Sequence, residues 1–253
     1  MPHAGIRVVL FCGTVKYLWA VRPFMYLFNK YWGTQTPVVL VSVAEPDYPL
    51  PGNVELVLLP DSMLMGGELP LARFTDAHLW FMEQVGGVFV YFLPDHWIVA
   101  PVPLEQVYAL LRYTLANPLV VRMNLGYRIG VSRLAEKVGS FEGLDITECA
   151  PDRGELKISL TPCFFRTKLL HDLLKPGQDP WRAESYATRM IHDMHPTYRS
   201  MASRPELVDF WDVCGHTDQP PRPVRLRGFP LEDVEALLPM IPAGWTAVGI
   251  GEP

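Results

Sequence analysis

Cysteine is scarce in this chain. The four present, Cys12, Cys149, Cys163 and Cys214, lie far apart in 253 residues. No C-x-x-C pair and no Cys/His spacing of a zinc module occurs, so the thiols are expected to be reduced and unbridged. His192 and His195 have a spacing that shares a helix face, but no third ligand stands near them, and no metal site is expected there. No apolar run approaches the ~18 residues that suggest a membrane span, and residues 1–12 lack the charged start and long apolar core of a secretory leader. The expectation is a cytoplasmic protein without a membrane span. A basic excess is missing too: 22 Lys and Arg against 27 Asp and Glu give a net charge of -5, and no chain-wide field concentrates nucleic acid or an anionic membrane. Arg112, Arg122, Arg128, Arg133 and Lys137 are a local exception, readable as a solvated surface or as a basic stripe. The phosphate-cradling G-x-x-x-x-G-K-[ST] loop, the G-x-G-x-x-G turn after a first strand and the G-x-S-x-G elbow are all absent.

What is abundant is apolar material. Hydrophobic residues make up 49% and charged ones 19% of the chain, enough to bury a core. Residues 6–12, 37–43, 54–59 and 87–93 are short, nearly continuous apolar runs, the pattern of strands covered on both faces of a largely parallel sheet. Between the first two, Leu18, Val21, Met25, Phe28 and Trp32 share a helix face, and Pro23 fits the first turn of a helix running to Trp32. A second helix is expected after Pro103, with Leu104, Val107, Tyr108, Leu111 and Leu115 on one face and a stop at Asn117-Pro118. A third is expected over 167–175, with Leu169, Leu170, Leu173 and Leu174 as its stripe and Lys175 suiting its negative end. Strand–helix alternation over 6–116 indicates a doubly wound half. Further on, 155–160 and 224–227 read as strands, 141–153 as a polar connection, 219–223 as a Pro-rich loop, and Leu231, Val234, Leu237 and Leu238 as the face of a last helix.

Ligands of open parallel sheets lie beyond the carboxyl ends of the strands, so acids that follow apolar runs are the first candidates. Asp95 follows the run ending at Leu93 and precedes His96. Together they could hold a divalent cation that neutralises a diphosphate, or Asp95 could simply cap the turn that follows. At Asp179-Pro180-Trp181-Arg182-Ala183-Glu184 an aromatic, a guanidinium and carboxylates meet at a loop-to-helix junction. A carboxylate here suits a general base for an acceptor hydroxyl, or a helix-start acid beside a hydrophobic anchor.

Several segments, in order, resemble a bacterial and phage group of GT-A-like glycosyltransferases. These are Val9-Leu10-Phe11-Cys12 with Lys16-Tyr17-Leu18-Trp19 and the Pro23 to Trp32 segment; Val90-Tyr91-Phe92-Leu93-Pro94-Asp95-His96-Trp97 with Pro101-Val102; and Ser159-Leu160-Thr161-Pro162 through Pro176-Gly177-Gln178-Asp179-Pro180-Trp181 and Glu184. Together they cover roughly 6–190. The resemblance implies an α/β, GT-A-like fold: a Rossmann-type, mostly parallel central sheet with helices on both faces and a smaller antiparallel acceptor-side part. It implies one domain over 1–253, with a nucleotide-sugar half over 1–118 and an acceptor half over 119–253.

The same resemblance, beside which the residues themselves offer His96 as a further candidate ligand, places Asp95 at the donor diphosphate and metal, Mn2+ or Mg2+. It places Glu184 as the acceptor-side base, and Thr14, Lys16 and Tyr17, with Trp181 and Arg182, at the bound nucleotide sugar. The implied reaction moves a sugar from a UDP-sugar to an acceptor hydroxyl, on a glycan or on a hydroxymethylated pyrimidine of phage DNA. Pro94 stands where the family carries a second acid, and one carboxylate binds a hard cation more weakly than two. That departure motivates the alternative of a non-catalytic nucleotide-sugar or carbohydrate-binding protein on the same fold.

Overall fold

A computed structural model describes residues 6–126, 136–148, 157–214 and 222–251. The first half alternates as its apolar pattern predicts. Strand β1 (Arg7–Cys12) leads through a 3-10 turn, Val15–Ala20, into helix α1 (Val21–Tyr31); β2 (Val38–Ser42) and β3 (Val54–Leu58) follow, then α2 (Phe74–Gln84), β4 (Val88–Phe92), the short β5 (His96–Ile98) and α3 (Leu104–Ala116). Pro23 sits in the first turn of α1, where its missing N–H has no helical partner to lose. Helix α3 ends at Asn117, before Pro118.

The second half contains β6 (Val120–Asn124), β7 (Glu136–Phe141), β8 (Leu144–Glu148), β9 (Cys163–Arg166), α4 (Thr167–Leu173), α5 (Pro180–Asp193), β10 (Arg199–Arg204), β11 (Phe210–Asp212), β12 (Arg222–Arg225), α6 (Leu231–Leu237) and β13 (Trp245–Val248). Several expectations are corrected here. Within 141–148 the chain forms a hairpin closed at Glu142-Gly143 in place of a polar connection, and residues 157–160 form bends where a strand was expected. Helix α4 ends at Leu173, so Lys175 lies beyond it. Leu115 on α3 and Leu231 and Leu238 around α6 are exposed; Leu110 and Thr114 turn inward on α3, and Asp233 on α6. The sequence reading overlooked α2, whose buried face of Phe74, Ala77, His78, Phe81 and Met82 includes a histidine and is flanked by the further apolar Leu79 and Trp80.

The main sheet has the order β3-β2-β1-β4-β9-β6-β10-β8-β7. Within it β9 and β8 alone run against the common direction. The class is therefore as expected: α/β, a mostly parallel central sheet with helices on both faces and an antiparallel portion in the second half. Alternate residues of β1 show the two-sided cover. Val8, Leu10 and Cys12 face one core with α1, α3 and α6, while Val9 and Phe11 face the other with α2, α4 and α5. On the first side, Phe24, Phe28, Trp32 and Phe92 pack edge-to-face or stacked at ring-centre distances of 5.3 to 6.3 Å, each ring contributing roughly 1.5–3 kcal/mol by leaving water.

The C-terminal unit, α6 with the parallel pair β12 and β13, docks on α1 through one carboxylate. Asp233 is fully buried and accepts from Lys30 Nζ at 2.7 Å, from the Tyr31 hydroxyl and from the Tyr26 hydroxyl at 3.4 Å. Lys30 also reaches the exposed Glu232 at 2.6 Å. Removing the Asp233 carboxylate leaves the ammonium and two hydroxyls without their shared acceptor. Asp233→Ala is expected to lower unfolding stability by about 2–3 kcal/mol in chemical denaturation, the partial exposure of Lys30 holding the loss below that of a fully buried pair, whereas Glu232→Ala is expected to cost less than about 0.5 kcal/mol.

Candidate functional site

Strand order reverses at β1. The chain moves from β1 to β2 to β3 in one direction, then returns so that β4 lies on the other side of β1. Such a reversal leaves a crevice beyond the carboxyl ends of the two strands that diverge from it. The loop after β1 carries Thr14, Lys16 and Tyr17, and the turn after β4 carries Asp95, so the sheet brings these expected site residues to one edge.

The β1 loop is held in several ways. Thr14 caps the 3-10 turn, its hydroxyl accepting from Lys16 N at 3.2 Å, and Val15 N donates to Glu68 Oε2 at 3.2 Å. Lys16 Nζ lies 5.1 Å from the centre of the Tyr17 ring. Tyr17 and Trp19 both lean on Trp245 of β13, at 5.7 and 5.0 Å between ring centres. Trp19 also meets Trp97 edge-on at 6.1 Å, and Trp97 donates from its indole to Pro94 O at 2.9 Å. The two loops that flank the crevice are thus joined through aromatic rings.

Asp95 is buried, 7% exposed, and its backbone oxygen accepts from Val213 N at 3.0 Å. Burial first, and then the negative charge of Asp212, push its carboxyl up to about 7. Asp212 stands opposite His96 in the antiparallel pair of β5 with β11, so β11 brings a second acid to Asp95. Sequence reading missed Asp212 because its partner strand is more than a hundred residues away. His96 is turned inward: its ring packs on Phe210 at 5.1 Å and its Nδ1 accepts from Leu93 N at 3.4 Å. That nitrogen is occupied, and among the described residues no group of three or more His, Cys, Asp or Glu is arranged to hold a metal ion. Cys12, Cys163 and Cys214 are buried and free, as expected; Cys149 lies outside the described residues.

Glu184 projects from α5 toward the same edge. Asp179 caps this helix, accepting from Arg182 N at 2.9 Å, with Pro180 as its first residue. The preceding loop is tied to the start of α2 by Gly177 N to Asp76 Oδ1 at 2.8 Å and Gln178 N to the Thr75 hydroxyl at 2.9 Å. Glu184 Oε1 accepts from Leu160 N at 2.6 Å. Burial raises its carboxyl above the ordinary value, opposed by the hydrogen bonds from Leu160 and Ser159 and by the charge of Arg122. Trp181 is 57% exposed, and Arg182 pairs with Asp179 at 3.3 Å. Both share the first turns of α5 with Glu184, not the loop after β1.

Tyr91 of β4 links the two acids. It is fully buried, its hydroxyl bonds to His78 Nε2 at 2.9 Å, and both Glu184 and Asp95 act on it in raising its phenol. His78, held also to Phe74 O at 2.9 Å, is pushed down to about 4 by burial and is neutral near pH 7. Of the basic residues from Arg112 to Lys137, two are exposed and already paired. Arg112 pairs with Glu142 and Lys137 with Asp145, Arg122 is buried, and Arg128 and Arg133 lie outside the described residues.

No protein-family model matches the chain, and no curated protein matches it. Among solved structures, residues 1–349 of S. aureus TarS superpose with a TM-score of 0.49 at 13% identity, covering 81% of this chain and 59% of that one. A longer S. aureus TarS chain gives 0.47 at 15% identity, covering 81% and 36%. A UDP-glucose pyrophosphorylase complexed with UDP-glucose gives 0.40 at 12% identity, covering 82% and 92%. The chain thus spans 59% or less of the TarS chains it resembles. No helix among the described residues is long and apolar enough to cross a membrane.

An acid whose carboxyl is raised in the folded state retains a proton that the unfolded chain has released. Stability therefore falls as pH climbs from the ordinary carboxylate range through the folded value. Asp95→Asn removes this loss. The variant's melting temperature is expected to exceed that of the parent by more at about pH 8 than at about pH 5; an equal gap at both would contradict a buried, titrating Asp95.

Proposed function

We propose that the chain is a sugar-nucleotide-dependent glycosyltransferase, transferring a hexose or related sugar from a UDP-sugar to a hydroxyl of a glycan acceptor. The observation that carries this reading is that Asp95 and Glu184 both act on the buried Tyr91 of β4, the strand on the far side of a reversal of strand order at β1. The ordered motifs shared with GT-A-like glycosyltransferases support it independently.

In this reading the donor lies over the loop after β1. Thr14 and Tyr17 border the nucleotide, and Lys16 offers the cationic group that a departing diphosphate needs. Glu184 takes the proton of the acceptor hydroxyl as its oxygen attacks the anomeric carbon; the bond from that carbon to the diphosphate oxygen breaks, and the electron pair leaves with the diphosphate. A raised carboxyl suits the task, because a base works best when its proton affinity lies near the working pH. Trp181, exposed a turn before Glu184, offers a flat apolar face to a sugar ring. A glycan acceptor is favoured over DNA because Arg112 and Lys137 are already neutralised and Arg122 is buried.

Two measurements test the reading. A thermal-shift screen of uridine, guanosine, thymidine and cytidine diphosphates and their sugars, with and without Mn2+ or Mg2+, is expected to single out the uridine compounds, since a ligand at ~100 times its dissociation constant stabilises by ~2.7 kcal/mol. Glu184→Gln is expected to retain donor binding while turnover falls by roughly 10²-fold or more. Equal loss of binding and turnover would remove Glu184 from the base role, and donor binding without turnover or donor hydrolysis in the parent chain would favour a binding protein.

A further inference from the structure

Arg122 sits within β6 with no exposed surface, between the equally buried Val121 and Met123. A guanidinium in such a place forgoes several kcal/mol of hydration unless protein groups replace the water. The replacement is partial. Its Nη2 donates to Asn124 Oδ1 at 2.9 Å and to the Thr161 hydroxyl at 2.8 Å, both neutral acceptors. Nε and Nη1 have no hydrogen-bond partner among the described residues, and Arg122 makes no ion pair among them. A charge retained under these conditions acts mainly through the field it exerts.

The short stretch Ser159-Leu160-Thr161 connects that charge to α5. Thr161 takes the guanidinium bond, while the two residues before it hold Glu184 through the Leu160 N–H at 2.6 Å and the Ser159 hydroxyl. The stretch is buried and anchored again where Ile158 N donates to the Thr188 hydroxyl, one turn further along α5, at 3.2 Å. The other groups around Glu184 carry no positive charge near neutral pH: Tyr91 from β4, backed by the neutral His78, and Cys163 from β9, whose thiol burial pushes up to about 12. On α5 itself, Arg182 is engaged by Asp179 at the exposed start. Arg122 is the cation that acts on the Glu184 carboxyl.

We propose that Arg122 is a positioning residue for Glu184: through the Ser159-Leu160-Thr161 stretch it fixes that carboxylate in place and keeps it ionised inside a desolvated site. The inference rests on the reading of Glu184 as the base. Without the guanidinium, the hydrogen bonds from Leu160 and Ser159 alone oppose burial, the stretch that carries them loses its anchor at Thr161, and the Glu184 carboxyl rises further.

The test follows the Glu184 carboxyl by 13C NMR, its resonance assigned by its loss in Glu184→Gln, in the parent chain, Arg122→Met and Arg122→Lys. The midpoint is expected to rise in Arg122→Met and to return most of the way in Arg122→Lys, with the acidic limb of the turnover profile moving in the same direction. Should Arg122→Met fail to fold, Arg122→Gln retains a hydrogen-bond donor toward Thr161 without the charge, and the same rise is expected. An unmoved midpoint in a folded variant, whatever its melting temperature, would mean that Arg122 only braces the sheet and would overturn the inference. The titration needs no substrate. A moved midpoint in a chain that turns over no sugar nucleotide removes the proposed reaction and keeps the coupling, and an unmoved one in an active enzyme does the reverse.

Discussion

Where helices cover a sheet on both faces, its inner strands leave their side chains no water to meet except at the strand ends. Every residue of β2 and β4 is buried, and β1 is buried from Val8 onward, so a polar group within these strands needs a protein partner, while one just beyond them can meet a ligand. The common direction of most strands gathers those ends at a single edge.

At the edge, burial and charge oppose one another at each acid in a different way. Asp95 has another carboxylate, Asp212, for company, and both effects raise it. Glu184 has hydrogen bonds from Ser159 and Leu160 and the field of Arg122, which work against its burial. Two carboxyls that both act on Tyr91 are thereby placed under different electrostatic control. The Asp95 side is braced by aromatic rings, with Trp97 and Trp245 gripping the loop after β1 from two directions. The Glu184 side is braced by hydrogen bonds between backbone and hydroxyl groups.

The C-terminal unit contributes to the site although it carries little that looks catalytic. Its Trp245 supports Tyr17, and Asp233 clamps the unit to α1. Between β10 and that unit, the β11 segment supplies Asp212 and Phe210, the latter filling the space beside Gly126. An added Cβ on Gly126 would stand 2.4 Å from the Phe210 ring, so no larger residue fits there without displacing β11 and the acid it carries.

Much of the first half was legible in the sequence because its signals are local. Continuous apolar runs marked β1, β2 and β4; Pro23 marked the start of α1; and Asp179 with Pro180 marked the start of α5. Asp95 and Glu184 followed from their places after a strand and within a helix start. The second half misled because its strands are short, polar or antiparallel, and the hairpin of β7 and β8 has exposed and buried residues in no simple alternation. Arg122 shows the limit most clearly: by sequence it belonged to a basic stripe, and the fold places it in the core beside neutral acceptors. Sequence by itself determined the α/β class, the order of the first strands and the acids at their ends, since these follow from the period and breaks of the apolar pattern. The tertiary structure alone decided that Asp212 joins Asp95, that His96 turns inward and that Arg122 acts on Glu184, because burial and charge act through space between residues far apart in the chain.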